Sequence, residues 1–157
     1  MPIVYPYIPN TITVHLGPPD QWAENVTVSF PDYVKNVASS EIYPTWEPAA
    51  IRANILAIIS FALNRVYTEF YPSRGYNFQI TNTTAYDQKF IRGRNIFDNI
   101  SRIVDEIFDN YIRRQGVVEP LAANVDAIKL LPNIMKKRFD KKGRRCYIIA
   151  ELGLANL

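Results

Sequence analysis

The chain predicts an α+β fold in which short antiparallel strands pack with a central helix and an amphipathic third helix. Three observations carry this: two alternating β-branched segments near the start, a long stretch that is apolar almost all round, and a later one whose apolar residues keep a 3.6 period. With 157 residues, 48% of them apolar and 21% charged, the chain can bury a real core and is not of disordered composition.

Thr11 to Leu16 (TITVHL) and Asn25 to Phe30 (NVTVSF) alternate and are rich in β-branched residues, with Gly17, Pro18, Pro19 and Asp20 between them as turn formers. They read as an antiparallel pair. Pro31 suits a first helical position and Val34, Val37 and Ala38 recur at helical spacing, so a short helix is expected from about Asp32 to Ser40. Pro44 stops its continuation, which leaves Glu41 at or just beyond the helix end.

A second helix is expected from Pro48 to about Tyr71. Ile51, Ile55, Ile58, Ile59, Ala62, Leu63, Val66 and Phe70 give it a wide apolar face, which implies a central position. Pro72 to Gly75 closes it. Phe78 and Ile80 alternate with polar residues as a short strand before a polar loop. Asn95 is positioned to cap a third helix, whose Ile96, Ile100, Ile103, Val104, Ile107, Phe108 and Tyr111 continue the period toward Gly116. Beyond it, Ala122 to Leu131 reads as a helix and Cys146 to Leu154 as a strand or helix.

Charge is unevenly spread. Lys129 to Arg145 holds eight basic residues against Asp140, whereas residues 1–128 carry ten basic and thirteen acidic side chains. The calculated pI of about 9.0 therefore comes from the tail. That basic run suits phosphates or an anionic surface, but only Phe139 and Tyr147 offer stacking near it and no nucleic-acid motif accompanies it, so no specific nucleic-acid partner is expected.

Other classes are excluded on residue chemistry. One cysteine, Cys146, and one histidine, His15, far apart in sequence, give no metal-ligand spacing, no internal disulfide and no thiol-protease context, so neither metal nor cofactor is expected. His15, on an alternating strand, reads as a structural or surface residue rather than a base. Met1 to Asn10 has three prolines and no basic residue ahead of an apolar run, so no secretory leader is read there. The longest apolar run, Ile55 to Leu63, is broken by Ser60 and short of the roughly 20 residues of a transmembrane span.

The chemistry concentrates at Glu41, a lone carboxylate followed at once by Ile42, Tyr43, Pro44 and Trp46. A carboxyl group among aromatics is poorly solvated when ionised, which raises its pKa and suits it to general-acid work. From the residues alone two readings stand open: a general acid, or a surface carboxylate that ends a helix. Tyr43 and Trp46 are equally core aromatics or faces on which sugar rings stack.

The order YVKNVASSEIYPTW, then AAIRANILAIISFALNR, then TNTTAYDQKF resembles the SpoIID/LytB family (stage II sporulation protein D), and looks close to a clostridial branch of it whose members carry peptidoglycan-binding repeats. The likeness covers about Thr11 to Glu119. Its most specific part is Glu41, Pro44, Trp46, Ala50, Arg52, Ala53 and Ala57 in fixed register. It divides the chain into a SpoIID-like domain at 1–119 and a divergent basic tail at 120–157.

The resemblance implies cleavage of peptidoglycan glycan strands by lytic transglycosylation, in sporulation or cell-wall remodelling, with Glu41 as the catalytic glutamate and Arg52 as a basic helper. Tyr43, Trp46, Thr83, Thr84 and Gln88 are then the expected substrate-binding residues, and glycan strands the partner. It also implies a wall- or spore-associated location, reached without a visible leader. Ile59 stands where the family usually has arginine, the cysteines and histidine often found around the T-T loop are missing, and the glycine-rich S-Q-W-G-like ending is absent. One reading of that ending is a truncated or frame-shifted tail; the other functional reading is a non-catalytic peptidoglycan-binding or scaffold module. Arg52 in a surface ion pair, and Thr83, Thr84 and Gln88 as turn-formers, are the corresponding plain alternatives.

Overall fold

The computed structural model describes residues 6–113 and 116–122, and within them the element order is strand, strand, helix, helix, strand, helix. β1 (Thr11–His15) and β2 (Asn25–Ser29) pair antiparallel, Thr11 opposite Ser29 and His15 opposite Asn25. β3 (Ile80–Thr81) joins the other edge of β1 in parallel, so the sheet order is β2-β1-β3 and the sheet is mixed. The α+β class is therefore as expected. The departure from an all-antiparallel sheet follows from the chain reaching β3 by way of two helices, since a parallel neighbour needs such a crossover.

α1 (Phe30–Glu41) begins directly at the end of β2, two residues earlier than the spacing suggests. Ser29 is the reason: it stays extended and its hydroxyl accepts the Asp32 backbone N–H at 3.2 Å, while Pro31 fills a first-turn position whose N–H would have no partner. Ser29→Ala is expected to lower stability by about 1 kcal/mol, read as a lower denaturant midpoint at unchanged slope. Ile42 ends the helix in extended backbone, its N–H still bonded to the Ala38 carbonyl.

α2 (Pro48–Tyr67) is the central helix. Ile51, Ile55, Leu56, Ile59 and Leu63 are each no more than 1% exposed, and Ser60 hides its hydroxyl by donating to the Leu56 carbonyl at 2.6 Å. The helix stops at Tyr67 rather than Tyr71. Thr68 turns its hydroxyl back onto the Asn64 carbonyl at 2.7 Å, and Glu69 takes a left-handed φ of 50°, which a continuing right-handed helix does not allow. By length and composition the Pro48–Arg74 stretch is long and apolar enough to cross a membrane, but 61% of its most apolar window is buried inside this fold.

α3 (Asp98–Ile107) carries a sharply one-sided face of Ile100, Ile103, Val104 and Ile107 against the core. It is shorter than the periodicity implies at both ends. Phe97, not Asn95, is the residue before its first turn. At the other end Asn110 folds its N–H onto the Ile107 carbonyl, and Ile112 leaves the helix to donate its N–H to Ser60 Oγ at 2.6 Å. Ile112 is thus buried beyond the end of the helix.

The described part of the body runs past residue 119. Leu121 donates its N–H to the Ile112 carbonyl, and Asn64 Nδ2 donates to Glu119 Oε1 and to the Pro120 carbonyl. The expected helix at Ala122 to Leu131, the segment Cys146 to Leu154 and the basic run lie outside the described residues, except for Ala122.

Candidate active site

Glu41 is the last residue of α1, and three elements meet around it. Behind it Ile42 is buried at 5% exposure. Beyond that, the turn to α2 presents Tyr43 and Trp46 at 68% and 41% exposure, their rings 6.0 Å apart and tilted by 54°. The turn is closed by the Trp46 N–H on the Tyr43 carbonyl at 3.2 Å and tied to α3 by Asn99, whose Nδ2 donates to the Pro44 carbonyl at 2.8 Å. The aromatic pair is therefore surface on a fixed turn, not core.

The third element is the 82–90 loop. The Lys89 backbone N–H donates to Glu41 Oε1 at 3.2 Å. Crowding by protein atoms pushes the Glu41 carboxyl above the usual range; that N–H and the Lys89 ammonium, which favour the ionised form, pull it part of the way back. The residue as a whole remains open to solvent, so a substrate can reach it.

A dense set of hydrogen bonds holds the loop. Asp87, its side chain wholly buried, accepts from Arg65 Nε at 2.7 Å, from the Tyr71 hydroxyl at 2.7 Å, and from the Thr81 N–H and hydroxyl at 2.9 and 2.6 Å. Burial first, and then the bond to Asp87, drive the Tyr71 phenol well above its ordinary value, so it is a permanent donor. Arg65 also lies over the Phe70 ring, 3.9 Å from its centroid. Further along, Phe90 stacks on Tyr33 at 5.7 Å, and Asn36 exchanges two hydrogen bonds with the Ile91 backbone, at 2.7 and 2.9 Å.

The other expected site residues fall as follows. Gln88 is buried: its Oε1 accepts the Tyr33 hydroxyl at 2.9 Å and its Nε2 donates to the Ile58 carbonyl at 3.1 Å. An amide committed at both ends inside the fold is not placed to contact a glycan. Thr83 closes its own turn, its hydroxyl accepting the Ala85 N–H and its carbonyl the N–H groups of Tyr86 and Asp87, whereas Thr84 is exposed beside it. Arg52 is ion-paired with Glu106 of α3 rather than joined to Glu41. Ile59 is 0% exposed in the apolar core.

His15 serves the sheet: its ring stacks on Phe78 at 4.3 Å and its nitrogens lie 2.6 Å from Asn25 Oδ1 and 3.0–3.1 Å from the Gln21 and Pro18 carbonyls. Among the described residues no group of three or more His, Cys, Asp or Glu side chains is gathered as metal ligands. A shallow depression of about 320 Å³ lies between β2, α1 and the 90–96 segment, bounded by Val28, Asn36, Phe90, Arg92 and Arg94. Glu41 is not in its wall, and its arginines are engaged, Arg92 with Glu24 and Arg94 with Ser40 and the Asn95 carbonyl.

Periodicity did not reveal Asp87, Lys89 or Tyr33. Lys89 acts through its backbone, which no side-chain pattern reports, and the partners of Asp87 come from α2, the turn after it and β3.

The arrangement is that of an α+β domain that presents one solvent-reachable, partly desolvated carboxyl group at a helix end beside an aromatic turn. Residues 20–109 match the family model described as SpoIID, Stage II sporulation protein, and the chain belongs to that family. Membership ties it to a sporulation-related cell-wall function. No curated protein and no solved structure matches the chain.

Proposed function

We propose that this domain cleaves peptidoglycan glycan strands by lytic transglycosylation, with Glu41 as the single acid and base. The observation that carries the reading is Glu41 itself, a carboxyl raised by crowding yet open to solvent, next to two exposed aromatic faces. The protonated carboxyl gives its proton to the glycosidic oxygen as the C1–O bond breaks. The resulting carboxylate then takes the proton of the same sugar's C6 hydroxyl, whose oxygen closes onto C1 as a 1,6-anhydro ring. The proton count balances without water, so no second carboxylate is required, in contrast to ordinary glycosidases. Tyr43 and Trp46 supply stacking surface for the sugar rings. Arg52 lies eleven residues after Glu41, and its part in the reaction would require release from Glu106.

A second reading, a non-catalytic glycan-binding module, is favoured by Ile59, which packs in the apolar core at the position where the family resemblance implies arginine. Incubation with purified glycan strands separates the two. Strand scission supports the enzyme; retention on insoluble peptidoglycan without scission, unchanged in Glu41→Ala, selects the binding module.

A further inference from the structure

Lys89 is an exposed residue between two buried ones, and its backbone N–H is the hydrogen-bond donor to Glu41. What aims that N–H is the peptide plane shared with the preceding residue, Gln88. Both ends of the Gln88 amide are engaged: Tyr33 of α1 donates its hydroxyl to one, and the α2 backbone carbonyl of Ile58 accepts from the other. Tyr33 is fully buried and its ring is stacked on Phe90, so the clamp joins both flanks of Lys89 to the helix that carries Glu41.

We propose that Gln88 is a positioning residue: its doubly bonded amide fixes the 88–89 peptide plane so that the Lys89 N–H points at the Glu41 carboxylate and governs how readily that carboxyl gives and regains its proton. Two features separate this from ordinary loop packing. The donor it aims meets the one carboxyl group to which the site assigns proton transfer. The clamp also pulls from α1 and α2 at once, so it holds the loop in register with the end of α1. The catalytic meaning rests on the reading of Glu41 as the acid; the hydrogen-bond device does not, and it is measurable without substrate.

The groups that face Glu41 electrostatically are Lys89, whose ammonium favours the carboxylate, and Tyr33, whose phenol stays neutral because burial and then the charges of Asp87 and Glu41 raise it far above its ordinary value. Tyr33 thus remains a donor to Gln88 throughout the titration of Glu41. An N–H that bonds the ionised form better than the neutral one lowers a carboxyl pKa. Loosening the clamp should then raise the Glu41 midpoint, not lower it.

The test is an NMR pH titration of the full chain that follows the Lys89 amide nitrogen and the Glu41 side-chain carbon. In the wild type both should report one shared midpoint, and Glu41→Gln should remove the Lys89 response. In Gln88→Met the Lys89 response should shrink by half or more and the Glu41 midpoint move up. Tyr33→Phe, which keeps the stacked ring and removes only the hydroxyl, should do the same in smaller measure and carries the test if Gln88→Met does not fold. Ile100→Val, a core change on α3, should leave both signals where they were. A Lys89 amide blind to Glu41 in the wild type overturns the proposal. So does a response unchanged in amplitude and midpoint in both clamp variants. Neither result would bear on whether glycan strands are cut.

Discussion

Glu41→Gln is expected to melt with the wild type and to lose anhydro-muropeptide release by about 10²–10⁴-fold, the usual contribution of a positioned acid and base. The fold should survive because the side chain is exposed at a helix end, and because the amide oxygen of glutamine can still accept the Lys89 N–H. What glutamine cannot do is give a proton to the leaving oxygen or accept one from the C6 hydroxyl. The pH dependence has a definite sign. Crowding raises the Glu41 pKa in the folded state, so the proton-donating form persists above the ordinary glutamate value of about 4.3 and the rate falls as pH rises through the raised value. Stability moves the same way: the folded state holds this proton more tightly than the unfolded chain, so ionisation of Glu41 works against folding as pH rises through that window. Glu41→Gln removes this penalty and should not be the less stable protein at neutral pH. A calorimetric scan beside a muropeptide assay checks both halves.

Asp87→Ala should be the most damaging single change in the loop, costing about 3–5 kcal/mol. It removes a wholly buried carboxylate that four donor groups share: the Arg65 guanidinium, the Tyr71 hydroxyl, and the Thr81 hydroxyl and N–H. Their hydrogen-bonding capacity would be left inside the protein without an acceptor, and an uncompensated buried charge is the expensive part. Arg65 keeps its place over the Phe70 ring, which holds the guanidinium where the carboxylate was and prevents a cheap escape to solvent. For a domain of this size the loss should appear as a fall in melting temperature of about 10 °C or more. Because Lys89 follows Asp87 by two residues, activity should fall even at temperatures where the variant is folded. A variant that melts with the wild type would show that this network contributes no net stability.

How far the chain announces this architecture varies by element. α1 and the placing of Glu41 at its end were legible, since Pro31, the Val34, Val37 and Ala38 spacing and Pro44 are local signals that tertiary structure does not overrule. The central burial of α2 was legible for the same reason, its apolar residues circling the helix. The end of α3 was not, because Phe108 and Tyr111 keep the helical period beyond Ile107, where the helix stops and the chain turns away to bond Ile112 to Ser60. Nor was the parallel pairing of β3, a two-residue strand whose neighbour is chosen by the crossover. At the site, Glu41, Tyr43 and Trp46 stand together because they lie within six residues of one another in the chain. Gln88 reads as a polar loop residue fit for a sugar, and only its burial between Tyr33 and Ile58 shows otherwise. Asp87 gathers Arg65, Tyr71 and Thr81 across three segments, a convergence that no spacing along the chain encodes.

The proposal that one carboxyl group performs both proton transfers is tested most directly by the chemistry of the product ends. Purified glycan strands treated with the protein and analysed by mass spectrometry should carry 1,6-anhydro termini, one for every bond cut, and those termini should vanish with Glu41→Gln. Reducing termini formed by uptake of water, or anhydro termini that persist in Glu41→Gln, would contradict the account.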